Sequence, residues 1–228
     1  DYLDYKIAIL SHLEKMGVFI LNSAKSMRTC IDKLQSQIIF ANEGVKTPKT
    51  AMLTSDSQID FVAKYFDEKF PLVVKTLFGS GGIGVAIVDS FASFKSVAQI
   101  LLDKQIPFLI QEYVKHDASY RIIVLRDKVL ASNVRKKREG KDFRTNSHQG
   151  SDTDKYEPSQ EEIDLAFKLA KLTGTTFAAL DYILIDDEIY VLEINGSPGL
   201  ENIQKNWPDK DLAKGVIDFC VASIEAKK

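Results

Sequence analysis

Leu180-Asp181-Tyr182-Ile183-Leu184-Ile185, then Asp186-Asp187-Glu188, then Ile189-Tyr190-Val191-Leu192-Glu193-Ile194-Asn195: two apolar stretches enclose an acidic turn. β-Branched and aromatic residues fill both arms, so the segment reads as an antiparallel hairpin over Thr176 to Ile185 and Ile189 to Ile194. With the turn centred on Asp187, Asp181 and Glu193 lie equally far from the centre and face each other across the strands. Directly opposed carboxylates on an apolar hairpin, with Cβ atoms about 5 Å apart, repel unless a cation lies between them. Alternation puts Asn195 on the face of Glu193. An all-oxygen set of Asp181, Glu193 and Asn195 suits a hard divalent ion, Mg²⁺ or Mn²⁺. For any one of these residues the competing reading is an ionised strand end in water. Gly196-Ser197-Pro198-Gly199 then turns the chain sharply and leaves the set at a strand end.

Upstream, Pro71 to Thr76 and Val85 to Val88 read as strands joined by the loop Gly79-Ser80-Gly81-Gly82-Ile83-Gly84. The loop fits the dinucleotide pattern G-x-G-x-x-G, but that motif requires a helix after it, and here a strand follows. The phosphate-loop ending Gly-Lys-Ser/Thr is absent as well. A glycine loop between two strands describes a flap that lies over phosphates with its backbone N–H groups, and Lys75 supplies the charge. The competing reading is a tight hairpin with Lys75 on an exposed edge.

Around these segments the periodicity predicts helices over Tyr5 to Leu21, over Cys30 to Ala41 with Thr29 as cap, over Ser57 to Phe70, over Ala92 to Leu102 and over Pro158 to Gly174. Phe108 to Val114 reads as a strand, and Arg121 to Leu125 with Val129 to Val134 as a hairpin. The strands fall in two clusters, so the fold class is α+β with two lobes: a helical segment over 1–47, a small lobe over 48–111 and a large lobe over 112–228.

Composition narrows the partners. A chain of 228 residues with 45% apolar content and a net charge of −2 is an ordinary globular protein, without the basic surface that holds a nucleic-acid backbone. Arg135-Lys136-Lys137-Arg138-Glu139-Gly140-Lys141 is basic but lacks interleaved aromatics, so it reads as a solvated hairpin tip, with Arg135 free to turn inward and clamp a carboxylate. Cys30 and Cys220 are too few for a disulfide framework, which fits a reducing, cytoplasmic setting. No apolar run reaches the length of a membrane helix. His148 reads as a solvated loop histidine and Trp207 with Pro208 as packing or turn residues.

The order Lys33, Lys75 with the flap, Gln111-Glu112-Tyr113, Asp181 and Glu193-x-Asn195-x-x-Pro198-Gly199 resembles the ATP-grasp superfamily. The closer resemblance is to its RimK-type glutamate-ligase branch, carried by Cys30 to Gln35, Val73 to Val85, Asp142 to Gly150 and Leu192 to Leu200. That resemblance implies ATP and two divalent ions held between the lobes. It implies Lys33, Lys75 and the flap residues Gly79, Ser80, Gly81, Gly82, Ile83 and Gly84 on the phosphates, and Glu112 and Tyr113 on adenine and ribose. Arg144, Thr145 and Asn146 are implied as further nucleotide contacts. Arg121 and Arg135, with Lys75, are implied around the transferred phosphoryl group and an acidic substrate. Ser119 stands where relatives carry Asp, with Asp117 as the alternative carboxylate for that nucleotide contact. The implied reaction phosphorylates a carboxylate with ATP and lets an amine attack the acyl phosphate, with glutamate or a similar amino acid as one substrate and a peptide, protein or small molecule as the other. A homo-oligomer is compatible with this reading. The family's separate N-terminal domain is not in this sequence, so the alternative is a nucleotide-binding module that performs no ligation.

Overall fold

A computed structural model describes residues 2–79, 83–136 and 152–226. It contains two antiparallel sheets, each with helices against it. The first two long helices are α1 (Tyr2–Lys15) and α2 (Ala24–Ile31), and α3 (Lys33–Asn42) follows α2 after a single residue. The sequence pattern predicts one helix through this region capped by Thr29. Instead Asp32 breaks it with an extended backbone, φ −81° and ψ 100°, and its carboxylate accepts the N–H groups of Leu34 and Gln35. Asp satisfies two orphan donors of a new helix start better than it continues the old helix. Thr29 therefore lies inside α2, and Lys33 becomes the first residue of α3.

The smaller sheet has the order β1-β4-β2-β3, from β1 (Thr50–Met52), β2 (Leu72–Thr76), β3 (Val85–Val88) and β4 (Phe108–Glu112). Helices α4 (Ile59–Tyr65) and α5 (Phe91–Asp103) cover one face, where Val62, Ala63, Phe94 and Ala98 pack against Leu72, Val74, Val88, Phe108 and Ile110. Alternation sends Val73 and Lys75 of β2, with their partners Gln111 and Leu109 of β4, to the other face.

The larger sheet has the order β7-β6-β5-β8-β9, from β5 (Ala118–Leu125), β6 (Lys128–Lys136), β7 (Asp152–Lys155), β8 (Phe177–Ile185) and β9 (Glu188–Asn195). Helix α6 (Gln160–Thr173) and parts of α2 and α3 bury Ile122, Val124, Leu180, Tyr182, Val191 and Ile194 on one face. Helices α7 (Glu201–Gln204) and α8 (Leu212–Glu225) cover the other face through Ile203 and Leu212, over Ile123, Leu125, Ala131, Phe177 and Ala179. Among the described residues no helix is long and apolar enough to cross a membrane.

The hairpin of β8 and β9 corrects the sequence reading in one respect. Its turn is the two residues Asp186 and Asp187, both left-handed at φ 50° and 63°, and Ile185 pairs with Glu188. A plain ladder from that turn would set Asp181 against Leu192. A bulge between Asp181 and Tyr182 in the pairing absorbs Leu192, so Tyr182 pairs with Val191 while Asp181 pairs with Glu193. The partner expected from the sequence is thus the observed one, reached through a shorter turn and a bulge. The bulge also changes the phase of β9. Val191 and Ile194, three residues apart, both enter the core under α6, and Glu193 is turned to the opposite face.

Candidate functional site

Register lines up a row of side chains across the large sheet: Glu193 of β9, Asp181 of β8, Arg121 of β5, Asn133 of β6 and Lys155 of β7. The row continues the face that is apolar under α7 and α8, where Ile123 and Ala179 are neighbours one step along. One end of this face is therefore core, and the other is a polar surface built on rigid strands.

Asp181 is its anchor. The carboxylate is 7% exposed and accepts Nε of Arg121 on Oδ1 at 2.6 Å and Nη2 on Oδ2 at 2.5 Å, a bidentate pair. Arg135, paired in register with Ser119, brings Nη2 to 3.8 Å from Oδ1. Burial alone would push the Asp181 carboxyl up, but Arg121 and Arg135 outweigh it and hold it below the usual carboxylate range. Burial works against the Arg121 charge, and Asp181 more than restores it. For Arg135 burial wins, and its affinity for the proton is lowered.

Two lysines from other elements come within charge range of the Glu193 end of this row. Burial depresses the Lys75 pKa, Glu193 offsets part of that, and Lys33 adds to the depression. The Lys33 pKa is likewise lowered by burial and partly restored by Glu193 and Asp32. Lys33 of α3, Lys75 of β2 and Glu193 of β9 therefore sit close enough to feel one another's charge, although their elements belong to separate parts of the fold. Lys33 Nζ also donates to the carbonyl of Gly79 at 3.0 Å and of Leu77 at 3.4 Å, tying the start of α3 to the end of β2.

The flap itself is held at Gly84. Its carbonyl accepts the Thr76 N–H at 2.8 Å, its φ is +81°, and a Cβ there would fall 2.1 Å from Thr76 Oγ1. At Gly79 a Cβ would meet the Ile83 carbonyl oxygen at 2.8 Å. Ser80, Gly81 and Gly82 lie outside the described residues, as do Arg144, Thr145, Asn146 and His148.

Other expected contacts have partners within the chain. The Glu112 carboxylate accepts the Lys49 N–H at 2.7 Å, joining β4 to the segment before β1, and Tyr113 follows it directly. Asn195 Oδ1 accepts the Ser197 N–H at 2.9 Å, which shapes the turn after β9. Ser119 is buried opposite Arg135, and Asp117 lies just before β5.

Among the described residues no group of three or more His, Cys, Asp or Glu side chains gathers as a metal site. The donor set is two opposed carboxylates and one amide. That fits a Mg²⁺-like ion, which takes one or two carboxylates and completes its shell with phosphate oxygens and water. Asp181 uses one lone pair on each oxygen for Arg121 and retains the others. Asn133 was not legible as a site residue: nothing marks a neutral amide in β6 until the register places it beside Arg121, two residues from Arg135.

The RimK-like ATP-grasp domain family matches residues 30–220. "Probable alpha-L-glutamate ligase 1" of Shewanella denitrificans is 33% identical over 217 residues, 94% of this chain and 72% of that protein. "Probable alpha-L-glutamate ligase" of Saccharophagus degradans is 33% identical over 223 residues, 97% of this chain and 73% of that protein. Among solved structures, the ATP complex of D-alanine–D-alanine ligase from Bacillus anthracis superposes with a TM-score of 0.78 at 21% identity, covering 97% of this chain and 76% of that one. The ATP-grasp ligase PsnB with a minimal precursor gives 0.74 at 19% identity, covering 95% and 68%.

Proposed function

The chain belongs to the RimK-like ATP-grasp family and is an ATP-dependent ligase, and from that premise we propose that it activates a carboxylate as an acyl phosphate and joins it to the amine of glutamate or a similar amino acid. The observation that carries this reading is that Lys33 of α3, tied by hydrogen bonds to the chain just after β2, and Lys75 of β2 both come within charge range of Glu193, the residue paired with Asp181. Two lysines whose protonation is disfavoured by burial gain most from a polyanion, because a phosphate restores the charge that burial penalises.

In this reading the substrate carboxylate oxygen attacks the γ-phosphorus and ADP leaves. The amine nitrogen then attacks the acyl carbon, the C–O bond to phosphate breaks, and the amine proton leaves with the departing phosphate. No protein nucleophile is required. The chain's own groups position and neutralise: Lys33 and Lys75 hold phosphate oxygens, and Arg121 and Arg135 face the phosphoryl group and an acidic substrate. Asp181 fixes Arg121 through its two hydrogen bonds, so the guanidinium is already oriented when charge develops. A divalent ion held by Asp181, Glu193 and Asn195 would supply further neutralisation of phosphate charge. The flap from Gly79 to Gly84 excludes water, which would otherwise hydrolyse the acyl phosphate.

A peptide acceptor is supported by the PsnB structure with its precursor, and glutamate by the names of the curated relatives. The test is mass spectrometry of products after incubation with ATP, Mg²⁺, all amino acids and a cell extract. Amide-linked addition of glutamate with stoichiometric ADP is expected. Tight ATP binding with no ADP from any acceptor mixture would leave a nucleotide-binding module instead.

A further inference from the structure

Asn22 lies between α1 and α2, outside every segment that carries the site, and is 3% exposed. Nδ2 donates to the carbonyls of Phe177 at 2.5 Å and Gly196 at 2.6 Å, and Oδ1 accepts the N–H groups of Thr176 at 2.7 Å and Phe177 at 3.0 Å. Both N–H donors and both lone pairs of the amide are therefore used, and a fully satisfied buried polar group makes its surroundings rigid. One side chain thus joins the start of β8 to the turn that follows β9.

Strand β9 depends on that link. It is the last strand of its sheet, with none beyond it among the described residues, and its ladder with β8 ends at the pair Ala179 and Asn195. Local opening begins at such ends. Asn195 stands there, where the ligase reading places a ligand to the divalent ion. Asn22 reaches it through one peptide plane. The Gly196 carbonyl and the Ser197 N–H belong to the same planar unit, and that N–H donates to Asn195 Oδ1 at 2.9 Å. Holding the oxygen of the plane sets the direction of its N–H, and the N–H orients the Asn195 amide. Helix α2 packs close to the same residue: a Cβ on Gly196 would fall 3.3 Å from both Cys30 Cβ and Met27 Sδ, so the backbone there has little room to shift.

We propose that Asn22 is a positioning residue for the metal site, fixing the peptide between Gly196 and Ser197 so that the Asn195 oxygen keeps its second lone pair directed at the ion. This rests on the ligase reading and deepens it by naming what orders the one uncharged ligand. An amide has no net charge to draw it to a cation, so its contribution depends on being oriented beforehand.

The test measures Mn²⁺ binding by electron paramagnetic resonance, on the full chain saturated with a non-hydrolysable ATP analogue, in a double-mutant cycle of Asn22→Ala and Asn195→Ala. Asn22→Ala should weaken Mn²⁺ by about tenfold, the lower end of what loss of a residue supporting a metal ligand costs. In the Asn195→Ala background it should cost nothing further, whereas a merely structural role would cost the same in both. Asn22→Asp keeps the acceptor for Thr176 and Phe177 and loses the donor to Gly196, so it carries the comparison where Asn22→Ala fails to fold. The native protein supplies a measurement that needs no variant: without nucleotide or metal the Ser197 amide should exchange slowly although its side chain is exposed. Equal losses in the two backgrounds, or a Ser197 amide that exchanges as fast as unstructured chain, would overturn the positioning role and leave the ligase reading standing. If the native protein binds the ATP analogue but no Mn²⁺, the metal site fails and the role of Asn22 with it.

Discussion

Replacing Asp181 with Asn should destabilise the protein, although the opposed Asp181 and Glu193 suggest relief of repulsion. The magnitudes decide the sign. A like-charge cross-strand pair costs on the order of 0.2–1 kcal/mol. Asp181, however, is the buried counter-ion of Arg121, at 2.5 and 2.6 Å, with Arg135 at 3.8 Å. Removing one partner of a buried ion pair strands the other and costs about 3–5 kcal/mol. For a chain of this size each kcal/mol moves the melting temperature by about 2–4 °C, so Asp181→Asn should lower it by roughly 6–20 °C. Glu193→Gln, which strands no guanidinium, should lower it far less. The folded state holds Asp181 below its ordinary pKa of 3.8. The stabilisation is therefore fully present above the unfolded value and lost as pH falls through the folded one, so the gap between native and variant should stay constant from pH 8 down to about 5. Scanning fluorimetry without nucleotide or Mg²⁺ measures it, and adding Arg121→Met should recover part of the loss. Melting of Asp181→Asn within 2 °C of native, or above it, would refute the counter-ion role.

Three further outcomes are expected. Gly84→Ala meets both a left-handed backbone and Thr76 Oγ1, so it should cost at least about 1–2 kcal/mol from the φ angle alone and speed amide exchange across 72–88; unchanged exchange would remove Gly84 as the flap's fixed end. Burial pushes the Cys30 thiol up to about 11, which leaves on the order of 0.1% thiolate at pH 8, so brief iodoacetamide treatment should label Cys220 alone by intact mass. Glu162 accepts the hydroxyls of Tyr156 and Tyr182 and the Ser159 N–H, so Glu162→Gln should turn a donor toward donors and cost about 1–3 kcal/mol in melting experiments while leaving ATP affinity intact.

Much of the fold was legible because its signals are local. The β8–β9 hairpin and the glycine flap show themselves in alternation and turn residues within a dozen positions. The bulge at Leu192 did not, because an extra residue inside an uninterrupted apolar run changes no residue type. Strand β7 has no apolar alternation, since Asp152-Thr153-Asp154-Lys155 becomes a strand only by pairing with β6. The break at Asp32 was masked by apolar residues on both sides that fit one helical period. In the site, carboxylates and lysines stood out as charges in apolar strands. The bidentate Arg121–Asp181 pair joins residues 60 positions apart, and the approach of Arg135 to Asp181 depends on β6, β5 and β8 lying side by side. Neither has a local pattern to read.

In the proposed reaction a carboxylate oxygen passes to phosphate before an amide forms. A peptide and metabolite fraction whose carboxylates have been exchanged in ¹⁸O-water, incubated with the chain, ATP, Mg²⁺ and glutamate, tests this in one measurement. The released phosphate should carry one ¹⁸O for each glutamate amide formed, and the matching product should have lost one. Phosphate free of ¹⁸O alongside amide product, or ADP release without amide, would contradict it.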